Sequence, residues 1–519
     1  MLSEFRNEPN IDFKQEANIT ALRQALESVR AQFGKTYPMV IGDEKIELND
    51  VFPSINPACP QEVLGYFPNG TADHADMAIE AATRAFESWQ HTSVESRVET
   101  VLRVSAEIRR RRFEFCALLV LEAGKSWDEA DGETCEAIDF IEYYARQMLR
   151  IADSSQLLGT SPGEHLHLQY IPLGVGAIIP PWNFPAAILT GLVAASLLAG
   201  NTVVLKPAEQ TPLVGFIISE LFWNAGLPAG VLNFVTGPGE IVGERMVQHP
   251  KTRFVAFTGS REVGIGIYEK ASKVHAGQKW LKRSILEMGG KNAVIVDETA
   301  DLDMAAQGIV TGAFSFQGQK CSAGSRAIIV DSVYDQLAAK VVKLAGNIKM
   351  GSPEQSPDNY MGPVIDNEAV AKINHYLEVG THEGNLLLGG ETLQDTSKGY
   401  FFKPTIFGEV AADAKVACDE IFGPVLALTR ATDFDEALHI ANNTEYGLTG
   451  SLYSRDSARL ERAEREFHVG NLYFNRKCTG SMVSQNPFGG FGMSGTDSKA
   501  GGPDYMLLFT QAKSITVKA

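Results

Sequence analysis

The sequence predicts an α/β protein built on a largely parallel sheet, with a second α/β unit after it. Three observations carry this. Between residues 174 and 272 short apolar runs alternate four times with helical stretches of about a dozen residues. A second alternation runs from about 292 to 475. Strand-like polar–apolar alternation is confined to two isolated places, 165–171 and 513–517.

The individual elements follow the chain. Residues 1–36 read as an N-terminal helical arm, with apolar positions at helical spacing from Ile19 to Phe33. Residues 37–67 are extended and turn-rich, punctuated by Pro53, Pro57 and Pro60. Thr71-Ala-Asp-His opens an alanine-rich helix ending at Trp89. Two further helices are expected, one over 93–124 and one over 126–153. In the first alternation the predicted strand–helix pairs are Val175–Ile179 with 186–199, 202–205 with 211–225, 231–235 with 240–248, and 254–257 with Arg261–Ser272. Repeated βαβ units imply parallel strands joined by right-handed crossovers. The second alternation includes strands at Ala293–Val296 and 327–330 and a helix over 433–443. The 165–171 stretch reads as an exposed strand, and the one at 513–517 as a terminal strand that needs a partner.

Composition narrows the function. The 519 residues carry a net charge of −17, which disfavours nucleic acid or an anionic membrane as partner. The one dense basic block, Arg109 to Arg112, lies in a helical stretch and reads as a solvated face. Six cysteines are scattered without a CxxC pair or a His/Cys cluster, so no disulfide framework and no metal site are expected. This usage fits a reducing compartment, and cytoplasmic location is expected. The N-terminus lacks the pattern of a secretory or transit peptide. The longest apolar run, 186–200, is too short to span a bilayer and reads as a buried helix.

Several residues are candidates for chemistry. Cys321 follows Gly318-Gln-Lys and has small apolar chain neighbours, a setting that suits a nucleophilic thiol reached from a cleft. A thiolate is the reactive form, and positive charge nearby lowers its pKa. Read alone, the cysteine fits a structural role better than a catalytic one, since free cysteine usually behaves as a small buried hydrophobe. Asn183, in Pro180-Pro-Trp-Asn-Phe-Pro185, is either a helix cap or a rigid amide donor for an oxyanion. Glu287 precedes Met288-Gly-Gly, and a partly desolvated carboxylate there can act as a base. Gly237-Pro-Gly239 with Gly243 is one residue longer than the usual dinucleotide-binding turn. Phe257-Thr-Gly259-Ser260 ends a strand and opens a helix, whose N-terminal amides suit a phosphate. Lys206 and Glu209 follow another strand, either as a surface pair or as a grip on ribose hydroxyls.

Together these segments identify the chain as resembling the aldehyde dehydrogenase superfamily. The ordered motifs are Pro181-Trp-Asn-Phe-Pro185, Lys206-Pro-Ala-Glu209, Phe257-Thr-Gly-Ser260, Glu287-Met-Gly-Gly-Lys291, Gly318-Gln-Lys-Cys321, Glu420-Ile-Phe-Gly-Pro424 and Pro487-Phe-Gly-Gly-Phe-Gly-Met-Ser494. Asn475 to Ser481, Gly495 to Gly502 and Glu136 to Tyr144 are similar to the branch that oxidises L-glutamate γ-semialdehyde, the open form of 1-pyrroline-5-carboxylate, in proline and arginine breakdown.

The resemblance implies a Rossmann-like NAD-binding domain (37–152 and 171–287), an α/β catalytic domain (288–475), a substrate anchor region (476–498) and a small β oligomerisation flap (153–170 and 499–519). It implies Cys321 as nucleophile, Asn183 and the Cys321 amide as oxyanion donors, and Glu287 as the base for water. NAD would be held by Lys206 and Glu209 at the adenine ribose, by Gly239, Gly259 and Ser260 at the phosphates, and by Glu420 and Phe422 at the nicotinamide end. NADP would be used less well, because Glu209 would repel a 2′-phosphate. Substrate residues would be Glu136, Phe184, Ser322, Gly480, Ser481 and Phe488. No metal is expected, and a homodimer or dimer-based oligomer is. The alternatives are another aldehyde or semialdehyde dehydrogenase of the superfamily, or a non-catalytic protein of the same fold.

Overall fold

The computed structural model describes residues 2–153, 158, 159 and 161–518. Two seven-stranded sheets organise it. The first runs in the order Arg283–Glu287, Thr252–Thr258, Val175–Ile179, Thr202–Leu205, Leu232–Phe234, Met39–Ile41, Glu44–Ile46. Its first five strands are mutually parallel, and the last two add antiparallel. The strands that are parallel are buried on both faces, as Val203, Val204 and Leu205 illustrate. Chain order reverses between Val175–Ile179 and Thr252–Thr258. The crevice beyond the carboxyl ends of such a pair is where ligands bind in open α/β sheets.

The second sheet runs Asn385–Leu388, Thr405–Gly408, Val425–Ala431, Arg326–Val330, Ala293–Val296, Thr449–Tyr453, Asn471–Phe474. It is parallel except at the Asn385–Leu388 edge. The Ala187–Leu198 helix is buried on nearly every side, which explains its uniformly apolar sequence. Among the described residues no helix is long and apolar enough to cross a membrane.

The structure departs from expectation in four places. The arm is helical only over Glu16–Arg30, and residues 2–12 form no regular secondary structure. The helix expected over 93–124 is two, Val94–Arg110 and Arg112–Ala123, because Arg111 leaves helical geometry at φ −101° and ψ 20°. The arginines there are not simply solvated. Arg109 pairs with Glu8 and Glu142, Arg111 with Glu114, and Arg112 with Asp131. The 240–248 helix begins as a π-turn over Gly239–Gly243 before Glu244–Gln248 becomes α-helical. That wider turn absorbs the extra residue of the glycine motif.

The terminal strand finds its partner within the chain. Thr510–Lys518 pairs antiparallel with Glu164–Pro172, His165 opposite Val517 and His167 opposite Ile515. Thr510–Lys518 is mostly exposed, and Glu164–Pro172 is exposed or half-buried along its length. Residues 154–157 and 160 of the expected 153–170 flap segment lie outside the described residues.

Candidate active site

The Cys321 loop is built from an improbable backbone. The Leu302–Phe314 helix is followed by Phe316 and Gln317 at φ 49° and 58°, then Gly318 at φ 70°. Three successive left-handed residues, two of them not glycine, store strain that the surroundings must hold. A side chain at Gly318 would meet the Gly423 carbonyl at 2.4 Å, so only glycine fits. Gln317 is pinned by its amide to the Pro363 carbonyl at 2.7 Å and by its carbonyl to the Gly362 amide at 3.0 Å. Gln319 accepts from the Ile365 amide at 3.0 Å. Asn292, buried, donates to the carbonyls of Cys321 and Ala323 at 2.7 and 2.8 Å. These contacts fix Cys321, which is half-buried.

Asn183 follows the central strand Val175–Ile179. Its side-chain amide donates to the Gln319 carbonyl at 2.9 Å, two residues from Cys321. An amide nitrogen carries a second N–H, which can serve an oxyanion formed at the cysteine.

Glu287 ends the strand Arg283–Glu287. Burial pushes its carboxyl up to about 8, against a hydrogen bond from Ser498 that favours the charged form. The other oxygen, Oε2, is buried with no hydrogen-bond partner among the described residues. A carboxylate with a free buried oxygen and a pKa near neutrality suits a general base.

Cys321 differs from the expectation in its electrostatics. Lys320 does not lower the thiol pKa; its ammonium pairs with Glu129 at 2.7 Å. Burial and the nearby carboxylates Glu420 and Glu287 push the thiol up to about 12. Burial first, and the two carboxylates after it, favour the thiol over the reactive thiolate.

The expected nucleotide residues also converge. Lys206 is buried and its ammonium pairs with the half-exposed Glu209 carboxylate at 2.8 Å. A β-carbon built on Gly239 would lie 3.8 Å from that carboxylate, and one on Gly243 3.6 Å from the Lys206 stem. Ser260 caps the Arg261–Ser272 helix by accepting from the Val263 amide, so its hydroxyl is already engaged. The Gly259 amide donates to the Glu287 carbonyl at 3.1 Å. Glu420 accepts from the Gly290 amide at 2.9 Å. A side chain on Gly289 would strike the Glu420 carboxylate at 2.2 Å and one on Gly290 the Cys321 carbonyl at 2.7 Å, which explains the paired glycines. Phe422, at φ 61°, packs edge-on against Trp182 at 5.5 Å. Each group suits a dinucleotide: a ribose-hydroxyl acceptor and donor, glycine for close approach, and a helix N-terminus for phosphate.

The remaining candidates lie on separate segments of the chain. Ser322 is buried, and its carbonyl accepts from the Cys478 thiol. Ser481 hydrogen-bonds Tyr473 through their hydroxyls at 2.6 Å. Gly480 is left-handed, and its carbonyl accepts from Arg476 at 3.1 Å. Phe488 forms a two-bond bridge with Ala500. Glu136 lies on the Trp127–Ala152 helix, and burial together with Glu133 pushes its carboxyl up to about 8.

Sequence reasoning missed Lys125. Its ammonium is buried, pairs with Glu133 at 2.9 Å, and sits 3.9 Å from the ring centroids of both Phe184 and Phe316. Glu133 in turn accepts from the Ala186 and Ala187 amides. This pair therefore ties the Asn183 loop to the Cys321 loop. Nothing in the sequence around Lys125 marks it, since it lies near 60 residues from one loop and near 190 from the other.

A cysteine, a side-chain amide and a buried carboxyl come together here, with Asn183 bonded to the Gln319 carbonyl and Glu287 near enough to Cys321 to raise its pKa. The pattern of the Aldehyde dehydrogenase family matches residues 45–515, and the chain belongs to that family. A Geobacillus sp. (strain WCH70) protein named 1-pyrroline-5-carboxylate dehydrogenase is 54% identical over 516 residues, 99% of each chain. A Bacillus subtilis (strain 168) protein named 1-pyrroline-5-carboxylate dehydrogenase 2 is 52% identical over 516 residues, again 99% of each. The structure of the Thermus 1-pyrroline-5-carboxylate dehydrogenase with bound NAD superposes with a TM-score of 0.97 at 47% identity, covering all of both chains.

Proposed function

We propose that this chain is an NAD-dependent L-glutamate γ-semialdehyde dehydrogenase, oxidising the open form of 1-pyrroline-5-carboxylate to glutamate. The observation that carries this reading is the convergence of Asn183, Glu287 and Cys321, with the Asn183 amide bonded to the Gln319 carbonyl of the cysteine loop. The substrate is supported by full-length relatives of that name.

Cys321 sulfur adds to the aldehyde carbon, its proton passing to Glu287 or to water. The alkoxide that forms is met by the second Asn183 N–H and the Cys321 amide. NAD, when bound, supplies the hydride acceptor that makes oxidation of this adduct to a thioester possible. Glu287 then takes a proton from water, whose oxygen attacks the thioester carbon and expels the Cys321 thiolate. Aldehyde, water and NAD are consumed; carboxylate, NADH and two protons are released. Lys206 and Glu209 hold the adenine ribose, Gly239, Gly259 and Ser260 lie along the phosphates, and Glu420 with Phe422 places the nicotinamide end. A carboxylate at Glu209 disfavours a 2′-phosphate, so NADP is used less well.

At the other end of the substrate, Gly480 and Ser481 hold the α-carboxylate, with Ser322 alongside. Phe184 and Phe488 wall the aliphatic stem, and Glu136 meets the ammonium. Polar donors for the carboxylate distinguish this site from one for an alkyl aldehyde. The Glu164–Pro172 and Thr510–Lys518 ribbon is the expected oligomerisation surface of a dimer-based assembly, and the expected location is cytoplasmic. Steady-state rates with pyrroline-5-carboxylate and with an uncharged aldehyde test the reading. A clear preference for the former is expected, and equal efficiency would contradict it.

A further inference from the structure

The N-terminal residues run antiparallel along the Trp127–Ala152 helix. The Ser3 carbonyl accepts from Arg146 at 2.9 Å, and the Phe5 ring meets Tyr143 at 5.1 Å. The Glu8 amide donates to Asp139 at 2.7 Å, and the Ile11 amide to Asp131 at 2.8 Å. From Ser3 to Ile11 the arm follows the helix from Arg146 back to Asp131, about 22 Å of helix, so it advances about 2.8 Å per residue, a little less than a full strand.

Asn7 reaches beyond this helix. Its Nδ2 donates to Asp139 Oδ2 at 2.8 Å and to the Val483 carbonyl at 3.0 Å. Its Oδ1 accepts from Gln485 Nε2 at 2.9 Å. One amide therefore spends both donors and an acceptor in joining three segments that are far apart in sequence. Val483 lies two residues after Ser481, in a turn closed by the Gln485 and Asn486 amides on the Met482 carbonyl. Asp139 lies three residues after Glu136 on the same helix. On the other side of Gly480–Ser481, Tyr473 fixes the Ser481 hydroxyl.

We propose that Asn7 is a positioning residue for substrate recognition: through it the N-terminal arm holds the Gly480–Ser481 loop at a set spacing from the helix that carries Glu136. This rests on the reading that the two ends of an amino-acid substrate lie between that loop and that helix. The arm touches no reacting atom. Its effect is on the distance between the donors for a carboxylate and the acceptor for an ammonium. An aldehyde lacking both groups is indifferent to that distance.

The test uses the full chain carrying Asn7→Ala. KM for glutamate semialdehyde should rise about fivefold to tenfold with kcat within about twofold, while KM for propanal stays unchanged. Amide exchange at Ser484, Gln485 and Asn486 should quicken in the variant, read without substrate. Unchanged exchange at those amides overturns the role of Asn7 whatever the substrate is. Equal KM increases for both aldehydes also overturn it, because they mark a general loosening. Faster exchange in a protein whose wild type shows no preference for the amino-acid aldehyde upholds the Asn7 tether and overturns the substrate reading instead.

Discussion

The Ser498 hydroxyl donates to Oε1 of Glu287, across 211 residues of chain, and leaves Oε2 of that buried carboxyl without a partner among the described residues. One oxygen is fixed and the other is available to water. This asymmetry is what a base needs if it is to be held in place and still accept a proton.

Removing the Ser498 hydroxyl takes away a bond that favours the ionised carboxylate. Ser498→Ala should therefore raise the Glu287 pKa from about 8. Deacylation needs the ionised form, so activity that rises with pH through this value should rise at higher pH in the variant. A pH–rate profile measures this, and an unmoved limb would mean that a different group titrates.

Glu287→Gln should leave a burst of NADH followed by slow turnover, because the thioester forms but is not hydrolysed. The same change has a stability consequence. The folded pKa is raised above the unfolded carboxylate value of about 4.3, so between about 4.3 and 8 the unfolded chain is ionised while the folded site resists. Stability contributed by the neutral carboxyl is complete below this window and falls as pH rises through it. Glu287→Gln should thus raise Tm relative to wild type at pH 8, with little difference at pH 4. Thermal unfolding at the two pH values checks the sign.

Lys125 should prove essential to the geometry of the site. Lys125→Met leaves Glu133 buried without its counterion, at a cost of about 3–5 kcal/mol. It also removes the cation between Phe184 and Phe316. The double variant with Glu133→Gln should recover much of the stability but less of kcat, since the tie between the two loops is not rebuilt. Thermal shift and steady-state kinetics on both variants separate the effects.

Glu209→Gln should improve kcat/KM for NADP by about tenfold, on the order of 1.4 kcal/mol, by removing charge repulsion at the adenine ribose. Rates with each cofactor measure it. An unchanged ratio would place cofactor selection elsewhere.

Much of this was legible in sequence where the signal is local. The Arg261–Ser272 helix has the bounds its cap and periodicity indicate, and Ala293–Val296 is the strand its apolar run suggests. What depends on distant partners was not. The split at Arg111 follows from docking of the Arg112–Ala123 helix against the Glu16–Arg30 arm and the Trp127–Ala152 helix. Lys320 next to Cys321 suggested a cation for the thiol, but Glu129, 191 residues away, claims it. The tethers from Lys125, Asn292, Ser498 and Asn7 each span tens to hundreds of residues and involve residue types that are common on any surface. Cys321, Glu287 and Asn183 became legible only together, as members of an ordered series of motifs, since Cys321 and Asn183 each have a structural reading when taken singly.

The most direct measurement is NADH formation from glutamate semialdehyde by wild type, Cys321→Ala and Ser481→Ala, with propanal alongside. Wild type should favour the amino-acid aldehyde. Cys321→Ala should lose turnover with both substrates while still binding NAD, and Ser481→Ala should lose affinity for glutamate semialdehyde alone. Retained turnover in Cys321→Ala, or equal losses for both aldehydes in Ser481→Ala, would contradict the account.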